Sequence, residues 1–156
     1  MIRRLQLEDI DECASVLERL PEWFGIESAN AAYVDSLSRL PGFVAVVDRQ
    51  LVGFLALELH TPESAEISVM GVTPDRHRDG LGTELMETAE EWCVDEGVLW
   101  LHVKTRGPST YDEDYERTRR FYLAMGFEVL YESLTEWGPA NAALVMVKHL
   151  ACTPGT

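Results

Sequence analysis

The hydrophobic pattern is clearest in residues 65–96, where two periodicities follow one another. Residues 65–72 form a short apolar run rich in β-branched side chains, which is typical of a buried strand. From residue 81 the apolar positions recur every three or four residues, which predicts a helix with one apolar face. These positions are Leu81, Leu85, Ala89, Trp92 and Cys93. The polar segment 74–82 therefore joins a strand to the N-terminus of a helix.

The rest of the chain shows the same two patterns. Short apolar runs predict further strands at residues 2–5, 43–47, 51–59, 98–104, 127–133 and 142–150. Helical spacing predicts further helices at residues 8–20, 28–40 and 115–125. Three helices are followed by residues that stop a helix, namely Pro21, Gly97 and Gly126. Ser28 is the expected N-cap of the second helix.

The order of these elements predicts how the strands pair. Residues 43–72 should form an antiparallel meander of three strands, and the last two strands should form a hairpin. Strands 65–72 and 98–104 are joined through a helix, so they should be parallel with a right-handed crossover. We therefore expect one domain over residues 1–156. Its class should be mixed α/β (α+β), with a central sheet of about seven strands and about four helices.

The composition limits the possible partners. The chain has 156 residues and a formal net charge of −14, which argues against binding to anionic nucleic acid. Eleven arginines accompany only two lysines, Lys104 and Lys148. This acidity fits adaptation to high salt, a solvated acidic face or attraction of a cationic substrate, and composition does not choose among them. No apolar run is as long as a membrane span and no signal-peptide core is present, so we expect a cytoplasmic protein without membrane contact.

Cysteine and histidine spacing indicates no metal or redox site. The three cysteines lack CxxC spacing, and the two on apolar helical faces are interpreted as core residues. They are Cys13, Cys93 and Cys152, of which the first two lie on those faces. Three histidines stand singly in or beside predicted strands: His60, His102 and His149. Because none has the spacing of a metal-binding motif, we expect no bound metal.

The loop at residues 74–82 has the features of an anion site. A helix N-terminus directs unpaired N–H groups and the positive end of the helix dipole toward one concavity, which suits a phosphate or pyrophosphate. Gly80 and Gly82 would let the backbone approach such an anion closely. A dinucleotide fingerprint would need a small residue where Leu85 stands, and a P-loop would need a lysine after Gly82, where Thr83 stands.

The loop instead resembles the acyl-CoA loop of the GNAT superfamily of N-acetyltransferases. Val72-Thr73-Pro74 and Gly80-Leu81-Gly82 match that pattern, and His77 stands at the position of its usual Gln or Arg. The element order also resembles the GNAT fold over nearly the whole chain. The resemblance implies that acetyl-CoA is the acetyl donor. It implies cofactor contacts at Val69, Met70, Gly71, Val72, His77, Arg78, Asp79, Gly80, Leu81, Gly82, Thr83 and Tyr122.

A second motif, at residues 121–127, supports the resemblance. Tyr122 follows an aromatic residue and precedes Gly126-Phe127, as in the corresponding family segment. The resemblance implies that the Tyr122 hydroxyl points at the sulfur of CoA and acts as the general acid. The family's asparagine, usually about seven residues before this tyrosine, is replaced by Tyr115. Without the resemblance, Tyr122 would be interpreted as a half-buried helix tyrosine hydrogen-bonded at the rim.

Direct acetyl transfer requires a neutral amine. A lysine-like amine at pH 7 lies about 3.4 units below its pKa, so its neutralisation costs roughly 4.6 kcal/mol and a general base is expected. Glu66 lies on the strand before His77, where several family members carry a catalytic glutamate, so the resemblance implies the base role. The alternative is an ordinary exposed glutamate. Strand alternation should place Glu66, Ser68 and Met70 on one side. The resemblance also implies an oxyanion contact from a backbone N–H near Val69 or Met70.

The acceptor is the least defined part of the prediction. Trp23 and Phe24 lie between the first two helices, either as a loop packed on the core or as a wall of the acceptor site. With Glu27 and the acidic residues before Tyr122, the resemblance implies an aromatic and acidic cleft for a small or peptidyl cationic amine. We expect an acetyl-CoA-dependent N-acetyltransferase, with a homodimer as one option. The alternative is a non-catalytic, CoA-responsive binding module with the same fold.

Overall fold

The computed structural model describes residues 1–24, 27–109, 112–138 and 140–150. Its strands are β1 (Ile2–Arg4), β2 (Gly42–Val47), β3 (Gln50–Thr61), β4 (Ser64–Val72), β5 (Trp100–Arg106), β6 (Glu128–Ser133) and β7 (Ala143–His149). Its α-helices are α1 (Ile10–Glu18), α2 (Glu27–Ser36), α3 (Leu81–Asp95) and α4 (Glu113–Ala124), with 3₁₀ turns at Leu7–Asp9 and Pro74–Arg76. Cys152 lies outside the described residues.

The seven strands form one mixed sheet in the order β1-β2-β3-β4-β5-β7-β6. The predicted fold class and order of elements are confirmed. The chain divides into two compact units, residues 1–58 with 67–96 and residues 59–66 with 97–156. Strands β3 and β4 contribute residues to both units. In the ranges that the structure describes, no helix is both long and apolar enough to cross a membrane.

The first unit is built around the apolar face of α1. Cys13, Val16 and Leu17 on this helix pack against Phe54 of β3 and Val69 of β4. Cys13 and Cys93 are both buried, and burial raises the pKa of each thiol to about 12, which agrees with their interpretation as core residues. Strand β2 pairs antiparallel with β1 and with β3.

A partly buried ion pair fixes the start of α1 within this unit. Arg3 Nη1 and Nη2 each donate to a carboxylate oxygen of Asp9 at 2.8 Å, and the Gln6 N–H donates to the same carboxylate. Asp9 is only 4% exposed. The hydrogen bonds from Arg3 hold the pKa of the Asp9 carboxyl below its usual range, although burial acts in the opposite direction. The pair therefore ties the first strand to the turn before α1.

The second unit contains the parallel pair that the sequence predicted. The start of β4 pairs in parallel with β5, with Glu66 opposite His102. Strand β7 pairs antiparallel with β5 and with β6, which confirms the expected final hairpin. Leu101, Phe127 and Met146 are fully buried core residues of this unit.

Several element boundaries differ from the sequence prediction by one to four residues, including the end of α2 at Ser36 and the starts of three elements. Helix α2 begins at Glu27, so Ser28 lies inside its first turn and is not its N-cap. Helix α4 begins at Glu113, two residues earlier than expected, because the Asp112 side chain accepts from the Asp114 and Tyr115 N–H groups. Strand β5 begins at Trp100 because the N–H groups of residues 99 and 100 both donate to the carbonyl that precedes β4, at Glu63.

Candidate active site

The start of α3 has the geometry of an anion site. Gly80 occupies the N-cap position with φ of 76°, in the left-handed region that favours glycine. A Cβ built at Gly80 would meet no atom within 4 Å. Glycine is therefore favoured here by the backbone conformation and not by a lack of space for a side chain. Because residue 80 is glycine, no side chain at the N-cap position accepts a hydrogen bond from the first turn. The first-turn N–H groups, at residues 81–83, have no acceptor within the helix and are available to a ligand.

Strand β4 leads into this loop with alternating faces. Glu66, Ser68, Met70 and Val72 lie on the half-exposed face, which confirms the expected shared side of the first three. Val69 and Gly71 lie on the buried face. A Cβ at Gly71 would lie 3.0 Å from Leu20 Cδ1, so a larger residue there would require a small shift of the Leu20 side chain. Residues 69 and 71 can therefore contact a cofactor only through their backbone.

Side chains brace the loop between β4 and α3. The His77 Nε2 atom donates to the Val72 carbonyl oxygen at 2.6 Å, and its ring lies edge-on to Trp23 at 5.7 Å between centroids. Arg76 pairs with Asp79 at 3.3 Å and lies 3.8 Å from Asp48. His77 is thus engaged by a main-chain carbonyl and an indole, while Arg78 and Asp79 are exposed beside the helix start.

The residues expected at the acceptor site pack partly on the core. Trp23 contacts the His77 ring, and Phe24 lies edge-on to Tyr33 at 6.1 Å. Both aromatic side chains pack against the core of the first unit. Glu27 is exposed at the start of α2 and lines a groove between α1 and α2 with Glu18 and Asp35. These contacts support the interpretation that Trp23 and Phe24 belong to a loop packed on the core. A role of Trp23, Phe24 and Glu27 in acceptor binding stays a prediction.

Tyr122 lies on α4 among aromatic rings. Its ring is edge-on to Phe121 at 5.4 Å and to Phe127 at 5.5 Å between centroids. The residue is 7% exposed, and burial raises the pKa of its phenol. Within the described ranges its hydroxyl makes no hydrogen bond. Tyr122 is therefore a neutral phenol whose hydroxyl is available to a ligand.

Glu66 lies between two histidines in the second unit. Its Oε1 atom is 2.7 Å from His60 Nε2 and 3.5 Å from His102 Nε2. Burial acts to raise the pKa of Glu66, but hydrogen bonds from His102 and His60 and the charge of Lys104 outweigh it and hold the pKa at about 2. The Lys104 ammonium itself pairs with Glu136 at 2.6 Å. Glu66 is therefore a carboxylate anion at neutral pH.

The grouping of these histidines with Glu66 was not predicted. The spacing of His60, Glu66 and His102 along the chain is not that of a metal-binding motif. The strand register brings these residues together, because Glu66 on β4 pairs with His102 on β5. The signal that could have found the group is alternation, which places a histidine on the same sheet face as Glu66 once the parallel pair is aligned.

Part of the sequence matches a known protein family. The sequence model of the acetyltransferase (GNAT) family matches residues 6–127. A search of curated protein sequences gives no match. The matched segment runs from the turn before α1 to the Gly126-Phe127 pair, so it includes the start of α3, Glu66 and Tyr122.

Solved structures are similar to this chain over almost its entire length. A protein of the GNAT family from Desulfovibrio desulfuricans has 18% identity and a TM-score of 0.85, over 97% of this chain and 99% of that one. An aminoglycoside 6′-N-acetyltransferase complexed with coenzyme A has 17% identity and a TM-score of 0.81, over 99% of both chains. The ribosomal-protein-S18-alanine N-acetyltransferase from Escherichia coli has 17% identity and a TM-score of 0.77, over 100% of this chain and 97% of that one. At these identities the similarity shows a shared fold.

Proposed function

The chain belongs to the GNAT acetyltransferase family, and we propose that it transfers the acetyl group of acetyl-CoA directly to the nitrogen of an amine. Acetyl-CoA is the acetyl donor, since GNAT structures similar to this chain are solved with coenzyme A or acetyl-CoA. The observation that carries the proposal is the start of α3, where Gly80 with φ of 76° leaves the first-turn N–H groups without a side-chain cap. We propose one functional domain over residues 1–156.

The cofactor contacts follow from this helix start. The pyrophosphate accepts hydrogen bonds from backbone N–H groups at residues 78–83, where the helix dipole also favours an anion. Gly82 lies in the first turn of α3, so a bulky side chain there would obstruct the approach of the phosphates. A backbone N–H near Val69 or Met70 polarises the thioester carbonyl. Val72 and His77, at the end of β4 and in the loop before α3, are also proposed to contact the cofactor.

Glu66 is proposed as the general base, acting through water. Complete transfer of a proton from a lysine-like ammonium to a carboxyl with a pKa of about 2 spans roughly eight pKa units, or about 11 kcal/mol. Release of the same proton to solvent at pH 7 costs only about 4.6 kcal/mol. The proton is therefore not stored on Glu66 but leaves to bulk solvent through a water molecule held by the Glu66 carboxylate. The carboxylate orients that water and stabilises the positive charge that forms on it.

Tyr122 is proposed as the group that assists the leaving thiolate. An ordinary thiol has a pKa of about 8.5 and an ordinary phenol about 10, so proton transfer from the phenol is uphill by roughly 2 kcal/mol. Burial raises the pKa of Tyr122 further and increases this cost. The hydroxyl therefore acts mainly by donating a hydrogen bond to the developing thiolate. This interaction strengthens as charge develops on the sulfur, which is the requirement for lowering the barrier.

The acceptor is proposed to be a small or peptidyl cationic amine. The net charge of −14 and the acidic side chains of the groove between α1 and α2 favour cations near the first unit. Trp23, Phe24 and Glu27 are the proposed acceptor contacts. The similar structures include an aminoglycoside acetyltransferase and a ribosomal-protein-alanine acetyltransferase, so this fold is compatible with both kinds of amine.

The test is release of free CoA thiol with a panel of amines, using the wild-type protein and Glu66→Gln. Turnover that requires an amine and falls in Glu66→Gln by roughly 10²-fold, the low end for acid–base catalysis, is the expected result. Cationic amines should lose kcat/KM as salt is raised, and neutral amines should not. The alternative, a non-catalytic CoA-responsive module, predicts CoA binding without turnover for any amine. The cytoplasmic location and the homodimer stay predictions.

A further inference from the structure

Three strands bring two imidazoles and one carboxylate into a compact group, called here the His60–Glu66–His102 cluster. Each residue offers one ligand atom, and these atoms all lie within 4.8 Å of one another. In the part of the chain that the structure describes, this is the one group of three metal-ligating side chains at such distances. The two imidazole rings are 5.4 Å apart between centroids and tilted by 34°.

The distances within the cluster are close to those of a tetrahedral metal site. Zinc–nitrogen and zinc–oxygen bonds of about 2.0–2.1 Å place neighbouring tetrahedral ligand atoms roughly 3.3 Å apart. The two nitrogen–oxygen distances in the cluster, 2.7 and 3.5 Å, lie on either side of this value. An ion could therefore enter with small side-chain shifts. The ligands stand on strands β3, β4 and β5, which limits their motion more than a loop would.

Exposure and charge also suit a cation. The side chains of Glu66 and His102 are 15% and 23% exposed, whereas that of His60 is 44% exposed and leaves a route from solvent. Lys104 would oppose a cation, but its ammonium is held by Glu136 at 2.6 Å. The protein's net charge of −14 raises the local concentration of cations. Two imidazoles and one carboxylate are ligands that zinc and other divalent transition metals accept, with a fourth position open.

We propose that His60, Glu66 and His102 form a binding site for one divalent transition-metal ion, with zinc as the reference ion. The ligand atoms are the Nε2 atom of each imidazole and one carboxylate oxygen of Glu66. In the arrangement described above, Nε2 of each histidine faces Glu66 Oε1. On binding, the metal takes the place of the Nε2 hydrogen bonds to Glu66, and each imidazole binds as the neutral tautomer that carries its one proton on Nδ1. The fourth position is filled by water.

One consequence rests on the proposed function. A metal bound to the Glu66 carboxylate would occupy the group that holds the catalytic water. Zinc is therefore expected to inhibit acetyl transfer, and a chelator is expected to restore it. Metal binding itself needs neither acetyl-CoA nor an amine. The two proposals can consequently fail separately.

The test is calorimetric titration of zinc chloride into the chelator-treated, full-length protein without a polyhistidine tag. Cobalt(II) is titrated in parallel, because tetrahedral cobalt with imidazole and carboxylate ligands absorbs visible light. The variants are His60→Ala, Glu66→Gln and His102→Ala, with His149→Ala as the matched control. His149 stacks on Trp100 at 4.6 Å and is not a member of the cluster. Circular dichroism checks that each variant is folded.

The wild-type protein and His149→Ala should bind one zinc ion per chain with equal affinity. Each cluster variant should weaken binding by at least about tenfold, because loss of even an outer-shell partner commonly costs 10–100-fold. The visible cobalt band should also disappear. Absence of zinc binding, or equal affinity in all four variants, would overturn the proposal. Zinc binding without inhibition of turnover would support the metal site and reject the role of Glu66 in catalysis.

Discussion

Replacement of Tyr122 by phenylalanine separates a catalytic hydroxyl from a structural one. The ring contacts with Phe121 and Phe127, at 5.4 and 5.5 Å between centroids, do not involve the hydroxyl and should persist in Tyr122→Phe. Within the described ranges the hydroxyl makes no hydrogen bond, so its removal breaks no hydrogen bond among the described residues. The two effects of the substitution, on stability and on turnover, should therefore differ greatly in size.

The magnitudes follow from general values. A structural hydroxyl that made a typical hydrogen bond would contribute about 0.5–1.5 kcal/mol to the free energy of unfolding. Because the Tyr122 hydroxyl has no hydrogen-bond partner among the described residues, we expect a change within about 0.5 kcal/mol, or a slight gain in stability, since a polar group no longer needs to be buried. Loss of the hydrogen bond to the thiolate should lower kcat by roughly 10²-fold, which is about 2.7 kcal/mol of transition-state free energy.

The assay pairs urea unfolding with kcat measured under conditions in which the chemical step limits turnover. The affinity for CoA, measured by calorimetry, should change little. Tyr131→Phe is the matched control, since Tyr131 is an exposed tyrosine of β6, and it should alter neither quantity. An unchanged kcat in Tyr122→Phe, together with a loss of more than about 1 kcal/mol in stability, would show that the hydroxyl is structural.

Three further predictions concern the framework around the site. Gly80→Ala should lower the free energy of unfolding by about 1–2 kcal/mol and Gly80→Asn by less, measured in urea, because φ is 76° and only asparagine tolerates it readily. Asp9→Asn should cost about 1–2 kcal/mol at pH 7, because it weakens the hydrogen-bonded pair with Arg3, whose guanidinium stays partly solvated. The pKa of Asp9 is lowered in the folded state, so this stability is present above its ordinary pKa of about 4 and is lost as pH falls through the folded value. The two proteins should therefore converge in acid, and a constant difference would contradict the ion-pair explanation. Asp112→Ala should cost about 1 kcal/mol and Asp112→Asn much less, because asparagine can also cap α4; equal losses would reject the cap.

The parts of the fold that depend on local pattern could be predicted from the sequence. Alternation along β4 correctly placed Glu66, Ser68 and Met70 on one face, because side chains in a strand alternate whatever the partner strand is. The periodicity of α3 and the helix stop at Gly97, with φ of 86°, are likewise local. The order of elements then led to the parallel pairing of β4 with β5.

The parts that depend on contacts between distant residues could not be predicted. Strand β5 starts at Trp100 and not at residue 98, because the carbonyl of Glu63 accepts from the N–H groups of residues 99 and 100. The hairpin between β2 and β3 was predicted at this place, but not its turn geometry, because Asp48 and Arg49 have φ of 51° and 66°, where glycine is usual. The contact of His60 with Glu66 likewise depends on strand register and was missed.

The central claim is that this chain moves an acetyl group from CoA to an amine. The most direct measurement incubates the protein with isotopically labelled acetyl-CoA and the amine that gives the fastest thiol release, then quantifies both products. We predict one labelled acetylamine, identified by mass spectrometry, for each free CoA thiol. In Gly82→Val, which remains folded by circular dichroism, both products should disappear because the pyrophosphate can no longer bind. Thiol release without an acetylated amine, or full activity in Gly82→Val, would contradict the account.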